Sequence, residues 1–176
     1  IDAGRIDPAI LDSFRGEAVP TLAQGLDLVK TLDWTVNLEL KYFPPETKSS
    51  PDSGFRIPDL TLETIEQSGI DPARIAISSF HHDWLMHIQD TAPHITVQAL
   101  VGKDDSDALN FSNPRFDTWN ANASLIAPEQ IQQLKSEGKR INLFTVNDPE
   151  SFHQFSALGV DGIFTDFPQW FALKSK

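Results

Sequence analysis

"INLFTVNDPESFHQFSALGVDGIFTD" (residues 141–166) predicts a strand, then a helix, then a second strand. The helix has well-defined ends. Asp148 can cap the free backbone amides of the first turn, Pro149 fits the first helical position, and Gly159 suits the left-handed residue that ends the helix. Apolar residues at helical spacing form the buried stripe, namely Phe152, Phe155 and Leu158. This order of elements predicts one unit of a parallel α/β sheet.

The same alternation extends outward from this stretch over most of the chain. Helical patterns are predicted near residues 19–33, 60–69, 82–92, 127–138 and 148–159, with Gly69 at the end of the second and Gly138 at the end of the fourth. Strands are predicted near residues 35–42, 74–80, 94–101, 119–125, 141–147 and 160–166, and the pattern of 119–125 is the weakest. Residues 44–58 are rich in proline and serine and predict a loop. Strands that alternate with helices indicate an α/β architecture built on a parallel sheet.

The composition is typical of a single globular domain. A chain of 176 residues can bury a substantial core, and 40% of its residues are hydrophobic. No apolar run reaches the ~18–20 residues of a membrane span, so we expect no stable membrane anchor. The formal net charge of −11 argues against a nucleic-acid partner, because such surfaces need clustered Lys and Arg. The absence of cysteine excludes disulfides and zinc–thiolate sites but leaves the compartment open.

The stretch VNLELKYFP (residues 36–44) places two charged side chains in an otherwise apolar strand. Because strand side chains alternate between faces, Glu39 and Lys41 lie on one face and the neighbouring leucines lie on the other. A strand with one solvated face would give the same pattern. In a parallel α/β barrel, however, the chemistry collects at the carboxyl ends of the strands. Glu39 and Lys41 are therefore candidate site residues.

Four stretches occur in the order and spacing of the motifs of one enzyme family. They are VPTLAQGLDLV (19–29), VNLELK (36–41), ISSF (77–80) and FTVNDPESFHQFSALGVDGIFTDFP (144–168), and the short IDAG (1–4) also fits. The closing ten residues, GVDGIFTDFP, are the most specific piece. Together these stretches resemble the glycerophosphodiester phosphodiesterases over essentially the whole chain.

The resemblance implies a TIM-type (β/α)8 barrel, a PLC-like phosphodiesterase. Such an enzyme uses a divalent metal to hydrolyse small-molecule glycerophosphodiesters to glycerol 3-phosphate and an alcohol. Carried over from the family motif, Glu39 is a metal ligand and Lys41 is a catalytic residue that contacts the phosphoryl oxygens of the substrate. A hard cation takes oxygen ligands, and a lysine adds positive charge where negative charge develops in the transition state. Calcium, magnesium and manganese all stay open as the metal, and so does the alcohol.

Two aromatic residues are candidates for the substrate-binding wall. Phe144 stands where the family usually has tryptophan before Thr-Val-Asn, so it keeps an apolar wall but lacks the indole donor. Phe80 closes the Ser-Ser-Phe stretch and could contact the glycerol. For both, packing inside the barrel is the alternative interpretation. Asn147, at the end of Thr-Val-Asn, could equally support a turn or cap a helix, or contact a ligand.

The family's histidines have no counterpart in this chain. Its His-Arg-Gly motif, its acidic pair and its second histidine are absent, and all five histidines follow the Glu-x-Lys strand. His81 and His82 come directly after Ser-Ser-Phe. They are interpreted as ordinary loop or helix-start residues, with a place at the mouth of a pocket as the alternative.

These absences suggest that residues 1–176 are the C-terminal portion of a single barrel domain that lacks about three βα units. About 70 further residues would give the ~250 that are typical of this barrel. The chain alone would then be inactive, and its barrel would need the missing N-terminal segment from the same or another chain. Two other functions stay open. One is a truncated, non-catalytic barrel that binds a phosphorylated ligand or a partner protein. The other is a phosphoinositide-type phospholipase, against which the closing motif argues.

Overall fold

A computed structural model of the chain describes residues 8–41, 54–104 and 106–171. Its strands are β1 (Val36–Glu39), β2 (Ile75–Ser79), β3 (Thr96–Val101), β4 (Thr118–Asn122), β5 (Arg140–Phe144) and β6 (Gly162–Ile163). Its helices are α1 (Pro8–Ser13), α2 (Leu22–Thr31), α3 (Arg56–Ser68), α4 (His82–Thr91), α5 (Pro128–Ser136), α6 (Pro149–Ala157) and α7 (Pro168–Phe171), with a short 3₁₀ turn at Pro72–Arg74. Within these ranges no helix is long and apolar enough to cross a membrane.

The six strands form one parallel sheet whose order in space is their order along the chain. Helices follow β1, β2, β4, β5 and β6, and a polar segment without a helix joins β3 to β4. A parallel sheet in sequential order with helices between its strands is the arrangement of a (β/α)8 barrel, and the described residues supply six of its eight strands. The sequence-based prediction of a (β/α)8 barrel is confirmed, but six described strands leave two of the eight, fewer than the predicted three.

Alternation along the strands separates an apolar outer face from an inner face that carries most of their polar side chains. In β2, β4 and β5 the outer residues are fully buried or nearly so, and they join one hydrophobic core with the helices: Ile75, Ile77, Trp119, Ala121, Ile141 and Leu143. The apolar residues of the first strand region, Val36, Leu38 and Leu40, pack against the same core. The alternate residues therefore face the inside of the barrel, as the alternation in VNLELK predicts.

The inner face carries a ladder of carboxamide side chains that crosses three strands. Asn142 Nδ2 donates to Asn120 Oδ1 at 2.8 Å, and Asn120 Nδ2 donates to Gln98 Oε1 at 2.9 Å. The ladder ends at Asn142, which lies against Gly162 of β6. A Cβ atom at Gly162 would lie 2.6 Å from Asn142 Oδ1. Glycine thus leaves room for the asparagine. Since Asn120 is fully buried, its hydrogen bonds offset the cost of burying an amide.

The helix boundaries follow the predicted caps. Asp148 accepts a hydrogen bond from Ser151 N at 2.8 Å at the start of α6, and Gly69 ends α3 in the left-handed conformation with φ of 64°. One boundary differs from the prediction. Helix α3 begins at Arg56, inside the predicted loop of residues 44–58, because Pro58 falls in the first turn, where no backbone amide is needed. Residues 42–53 of that loop and the IDAG stretch lie outside the described residues.

Asp161, in the closing motif, ties three elements together. Its carboxylate accepts hydrogen bonds from Lys135 Nζ of α5 at 2.8 Å and from Ile141 N of β5 at 2.8 Å. Partial burial raises the pKa of Asp161, but the hydrogen bonds from Lys135 and Ile141 and the Lys135 charge outweigh that effect and hold the pKa below its ordinary value. The carboxylate therefore stabilises the fold in its ionised form.

Asp161→Asn, made in the protein that carries this chain, should lower the free energy of unfolding by about 1–2 kcal/mol at pH 7, because a charged acceptor of two hydrogen bonds is lost. A lowered native pKa contributes stability above the unfolded pKa and loses it as the pH falls through the native value. The difference in free energy of unfolding between variant and wild type, measured by urea unfolding, should therefore become smaller below about pH 4. Glu17→Gln, at an exposed carboxylate, is the control and should change little. A gap that stays constant down to pH 3 would contradict this role of the Asp161 carboxylate.

Candidate functional site

Glu39 and Lys41 lie together at the carboxyl end of β1. Lys41 Nζ is 3.7 Å from Glu39 Oε1, and the two side chains are 61% and 38% exposed, respectively. An ion pair this exposed contributes only about 0–1 kcal/mol. Both groups can therefore leave each other for a ligand at little cost.

The two charges line a cavity of about 470 Å³, here called the Glu39 pocket. Besides Glu39, Leu40 and Lys41, its walls are formed by Ser79, Phe80, His81 and Lys103, which follow or end β2 and β3. Parallel strands end at the same edge of a barrel, which is why residues so far apart in the sequence share one cavity.

A second cavity of about 310 Å³ reaches toward the inside of the barrel and shares Glu39, Phe80 and Lys103 with the first. Phe144 of β5 lies in its wall, and the Phe80 and Phe144 rings pack edge to face with centroids 6.0 Å apart. The two aromatic candidates thus pack against each other and also line a cavity beside Glu39. Contact with a substrate stays a prediction for both.

A buried hydroxyl holds the end of the Glu-x-Lys stretch in place. Ser79 Oγ donates to Leu40 O at 2.7 Å and accepts from His81 N at 3.0 Å. Leu40 N in turn donates to Ser78 O at 2.8 Å. Because Leu40 separates Glu39 from Lys41, Ser79 positions both charges relative to β2.

Ser79→Ala should lower the free energy of unfolding by about 1–3 kcal/mol, since it leaves Leu40 O and His81 N without the hydroxyl that both contact. Thermal or urea unfolding measures the loss. Ser136→Ala is the matched control. Its hydroxyl is exposed at the end of α5 and only bonds back to Gln133 O, so the expected change is within about 0.5 kcal/mol. Equal effects of the two substitutions would exclude the anchoring role of Ser79.

The structure gives the adjacent histidines different surroundings. His82 begins α4, and its Nε2 lies 2.9 Å from Leu100 O while its ring packs edge-on against Phe116 and Trp119. It holds α4 against the end of β3 and also lines a cavity together with Phe80 and Lys103. His81 lines the Glu39 pocket and stacks on Trp84 at a centroid distance of 4.8 Å. The pocket-mouth alternative therefore describes the place of both histidines, His81 in the Glu39 pocket and His82 in the neighbouring cavity.

Asn147 supports the closing motif. Its Oδ1 accepts from Asp166 N at 2.9 Å and from Thr165 Oγ1 at 3.1 Å, and its Nδ2 donates to Asp166 Oδ2 at 2.8 Å. All its amide contacts thus go to the segment after β6. Of the two interpretations of Asn147, the structure favours support of a turn.

Lys103 is a site residue that the sequence analysis did not identify. It follows Gly102 directly after β3 and lines both cavities that contain Glu39. One signal was available: the position after a parallel strand lies at the edge where barrel sites form. Gly102 has φ of +79°, and a Cβ there would lie 2.7 Å from Leu109 Cδ2 and 2.8 Å from Asn122 Cβ. Only glycine fits this turn, so Gly102 sets the backbone that carries Lys103.

Gly102→Ala should lower the free energy of unfolding by about 2–4 kcal/mol, because it combines an unfavourable backbone conformation with overpacking. Gly25→Ala is the matched control. Gly25 lies inside α2, and no atom is within 4 Å of the added Cβ, so this change should stabilise by about 0.5–1 kcal/mol. Urea unfolding of both variants should show a lower free energy of unfolding for Gly102→Ala and a higher one for Gly25→Ala. An unchanged free energy of unfolding for Gly102→Ala would contradict the crowding at this turn.

Glu39 offers oxygen ligands suited to a hard divalent cation. Among the described residues that line the two cavities, it is the only carboxylate. No group of three or more His, Cys, Asp or Glu side chains that could hold a metal occurs within the described ranges. Glu39 thus fits as one ligand of a divalent cation.

The sequence matches the model of the glycerophosphoryl diester phosphodiesterase family over residues 6–170. Among curated proteins, a glycerophosphodiester phosphodiesterase of Bacillus altitudinis is 30% identical over 161 residues, which are 85% of this chain and 60% of that protein. A glycerophosphodiester phosphodiesterase of Caldanaerobacter subterraneus subsp. tengcongensis is 27% identical over 90% of this chain and 62% of its own length. The chain therefore spans about three fifths of the length of these relatives.

Solved structures show the same fold. An Oleispira antarctica phosphodiesterase in complex with the product sn-glycerol-3-phosphate superposes with a TM-score of 0.75 at 20% identity, over 90% of this chain and 62% of that chain. A glycerophosphodiester phosphodiesterase of Parabacteroides distasonis gives a TM-score of 0.71 at 24% identity, over 86% of this chain and 61% of its own. At these identities the similarity establishes the fold.

Proposed function

Because the chain belongs to the glycerophosphoryl diester phosphodiesterase family, we propose that the protein carrying it hydrolyses glycerophosphodiesters to glycerol 3-phosphate and an alcohol. The observation that carries the proposal is the Glu39–Lys41 pair at the carboxyl end of β1, open to a cavity with Phe80 and Phe144 in the adjoining wall. An acid for a metal, a cation for phosphate and an apolar wall for glycerol carbons are the groups that this substrate class needs.

The reaction adds water across one phosphorus–oxygen bond. Water bonds to phosphorus, the bond from phosphorus to the alcohol oxygen breaks, and that oxygen leaves with a proton as the free alcohol. In this proposal the Lys41 ammonium contacts the non-bridging phosphoryl oxygens, where negative charge increases in the transition state. Phe80 and Phe144 exclude water from the glycerol side. We assign the proton transfers to groups outside the described residues.

Glu39 would contribute one oxygen ligand to a divalent metal. When bound, the metal would polarise a phosphoryl oxygen as a Lewis acid. The weak ion pair with Lys41 suits this role, because Glu39 can exchange an exposed ammonium for a metal at little cost. Within the same proposal, residues 1–176 form part of a single barrel domain and share one catalytic edge with the remaining strands.

Glu39→Gln and Lys41→Met, made in the complete protein that carries this chain, should each lower kcat/KM by about 100-fold or more. Each substitution removes a charged side chain that is proposed to stabilise the transition state, either directly or through the metal. The assay measures sn-glycerol 3-phosphate released from glycerophosphocholine and glycerophosphoglycerol, with and without chelator. Calorimetric titration with Mn²⁺ should show weaker binding to Glu39→Gln and little change for Lys41→Met.

Controls carry the same charge changes at the opposite edge of the barrel. Glu137 lies at the end of α5, and Lys139 pairs with Asp117 at 2.9 Å just before β5. Glu137→Gln and Lys139→Met should leave kcat/KM within about twofold. Chelator-insensitive hydrolysis, or an unaffected Glu39→Gln variant, would exclude the metal role. Absence of any glycerol phosphate release by the wild type would instead favour a barrel that only binds a phosphorylated ligand.

A further inference from the structure

A third cavity adjoins the Glu39 pocket on the side of the segment between β3 and β4. Here called the polar cleft, it has a volume of about 340 Å³ and shares Phe80 and Lys103 with both cavities that contain Glu39. Its further walls include the polar side chains of Asp107, Asn110, Ser112 and Asn113. A substrate whose phosphate lies at Lys41 can therefore extend past Lys103 into the polar cleft.

Lys103 is distinguished from the other described lysines by its charge environment. Each of the others has a carboxylate within 4 Å: Lys30 with Asp27, Lys41 with Glu39, Lys135 with Asp161 and Lys139 with Asp117. Within the part of the chain that the structure describes, Lys103 has no ion pair, although the whole chain contains 25 acidic and only 14 basic residues. A cation without a pair at the junction of three cavities is available to a ligand.

The backbone that carries Lys103 is held firmly. Gly102 O accepts a hydrogen bond from Asn122 Nδ2 at 3.1 Å, and the Gly102 Cα lies against Leu109 and Asn122 too closely for any side chain. The turn therefore links β3, β4 and the wall of the polar cleft. The fold therefore fixes the backbone at the rim of the polar cleft, from which the Lys103 side chain extends.

The polar cleft offers partners for hydroxyl groups. The Lys103 ammonium is a strong donor, and the Asp107 carboxylate can accept although its Oδ2 already accepts from Asp104 N. The Asn110 amide can donate through Nδ2 while its Oδ1 accepts from Ser112 N. The Asn113 amide is already bonded to Arg115 N and Met86 Sδ. Quaternary ammonium groups are bound by several aromatic faces together, yet Phe80 is the only phenyl or indole ring among the described residues that line this cleft. A choline head group would also bring a positive charge close to Lys103, although the Asp107 carboxylate in the same cleft partly offsets that repulsion.

Building on the proposed function, we propose that the polar cleft holds the alcohol half of the diester and selects polyhydroxyl head groups, such as glycerol or inositol, over choline. Lys103 donates hydrogen bonds to a hydroxyl oxygen of the head group and repels a quaternary ammonium. Lys41 remains the contact to the phosphate. Lys103 is thus a specificity residue of the leaving group.

The test compares wild type, Lys103→Met and the control Lys139→Met in the complete protein with glycerophosphoglycerol and glycerophosphocholine. The wild type should favour glycerophosphoglycerol in kcat/KM by roughly tenfold or more. Lys103→Met should lower kcat/KM for glycerophosphoglycerol about tenfold while glycerophosphocholine is unchanged or better used. Inhibition by sn-glycerol 3-phosphate should stay within about twofold, because this product has no head group. Lys139→Met should match the wild type throughout.

Two results would overturn the inference. Equal losses for both substrates together with weaker product inhibition would place Lys103 on the phosphate, and an unchanged substrate preference would remove it from the head group. Calorimetric titration with each diester, with chelator present, measures the preference for glycerophosphoglycerol over glycerophosphocholine as a ratio of binding affinities without hydrolysis. If binding shows the preference and its dependence on Lys103 but no hydrolysis occurs, the cleft assignment stands and the proposed function fails.

Discussion

The hydrogen bonds between Gln98, Asn120 and Asn142 are the constraint on which the rest of the sheet depends. A slip of one residue in any of the three strands would turn a carboxamide toward the apolar core and a large apolar residue toward the barrel interior. Each error would bury an unpaired amide, which costs more than a single hydrogen bond contributes. The ladder therefore sets the register of β3, β4 and β5. That register brings Lys103 and Phe144 to one edge, where the site lies.

The site lies at the carboxyl ends of the strands and contains only a few charged side chains, in a chain that is acidic as a whole. Glu39 and Lys41 form an exposed and weak pair, and Lys103 carries a charge without a counterpart among the described residues. In a chain with a formal net charge of −11, an anionic substrate is repelled by most of the surface, so local cations must offset that field. In the proposed function, Lys41 in the Glu39 pocket has this role for the phosphate. We propose that the head group has a separate cation, Lys103.

Features that depend on a few neighbouring residues could be predicted from the sequence more reliably than features that depend on distant residues. The α6 cap and the glycine that ends α3 are decided within a few residues, and both were predicted. Strand β4 had the weakest pattern because Asn120 and Asn122 interrupt its apolar residues, yet it lies between β3 and β5. Its asparagines are stable there because the neighbouring strands supply partners, and no window of sequence contains those partners. The start of α3 was missed because Pro58 suggested a loop although it is allowed in a first turn.

The sequence by itself determined the alternation of elements, the shared face of Glu39 and Lys41, and membership of the family through a specific closing motif. These properties follow from periodicity, capping and residue order along the chain. Only the tertiary structure decided which side chains meet. It placed His81 in the Glu39 pocket but His82 against Leu100 O, directed Asn147 to the closing motif, and brought Lys103 to the junction of three cavities. The physical reason is that distance across parallel strands depends on register and barrel closure, which spacing along one strand does not encode.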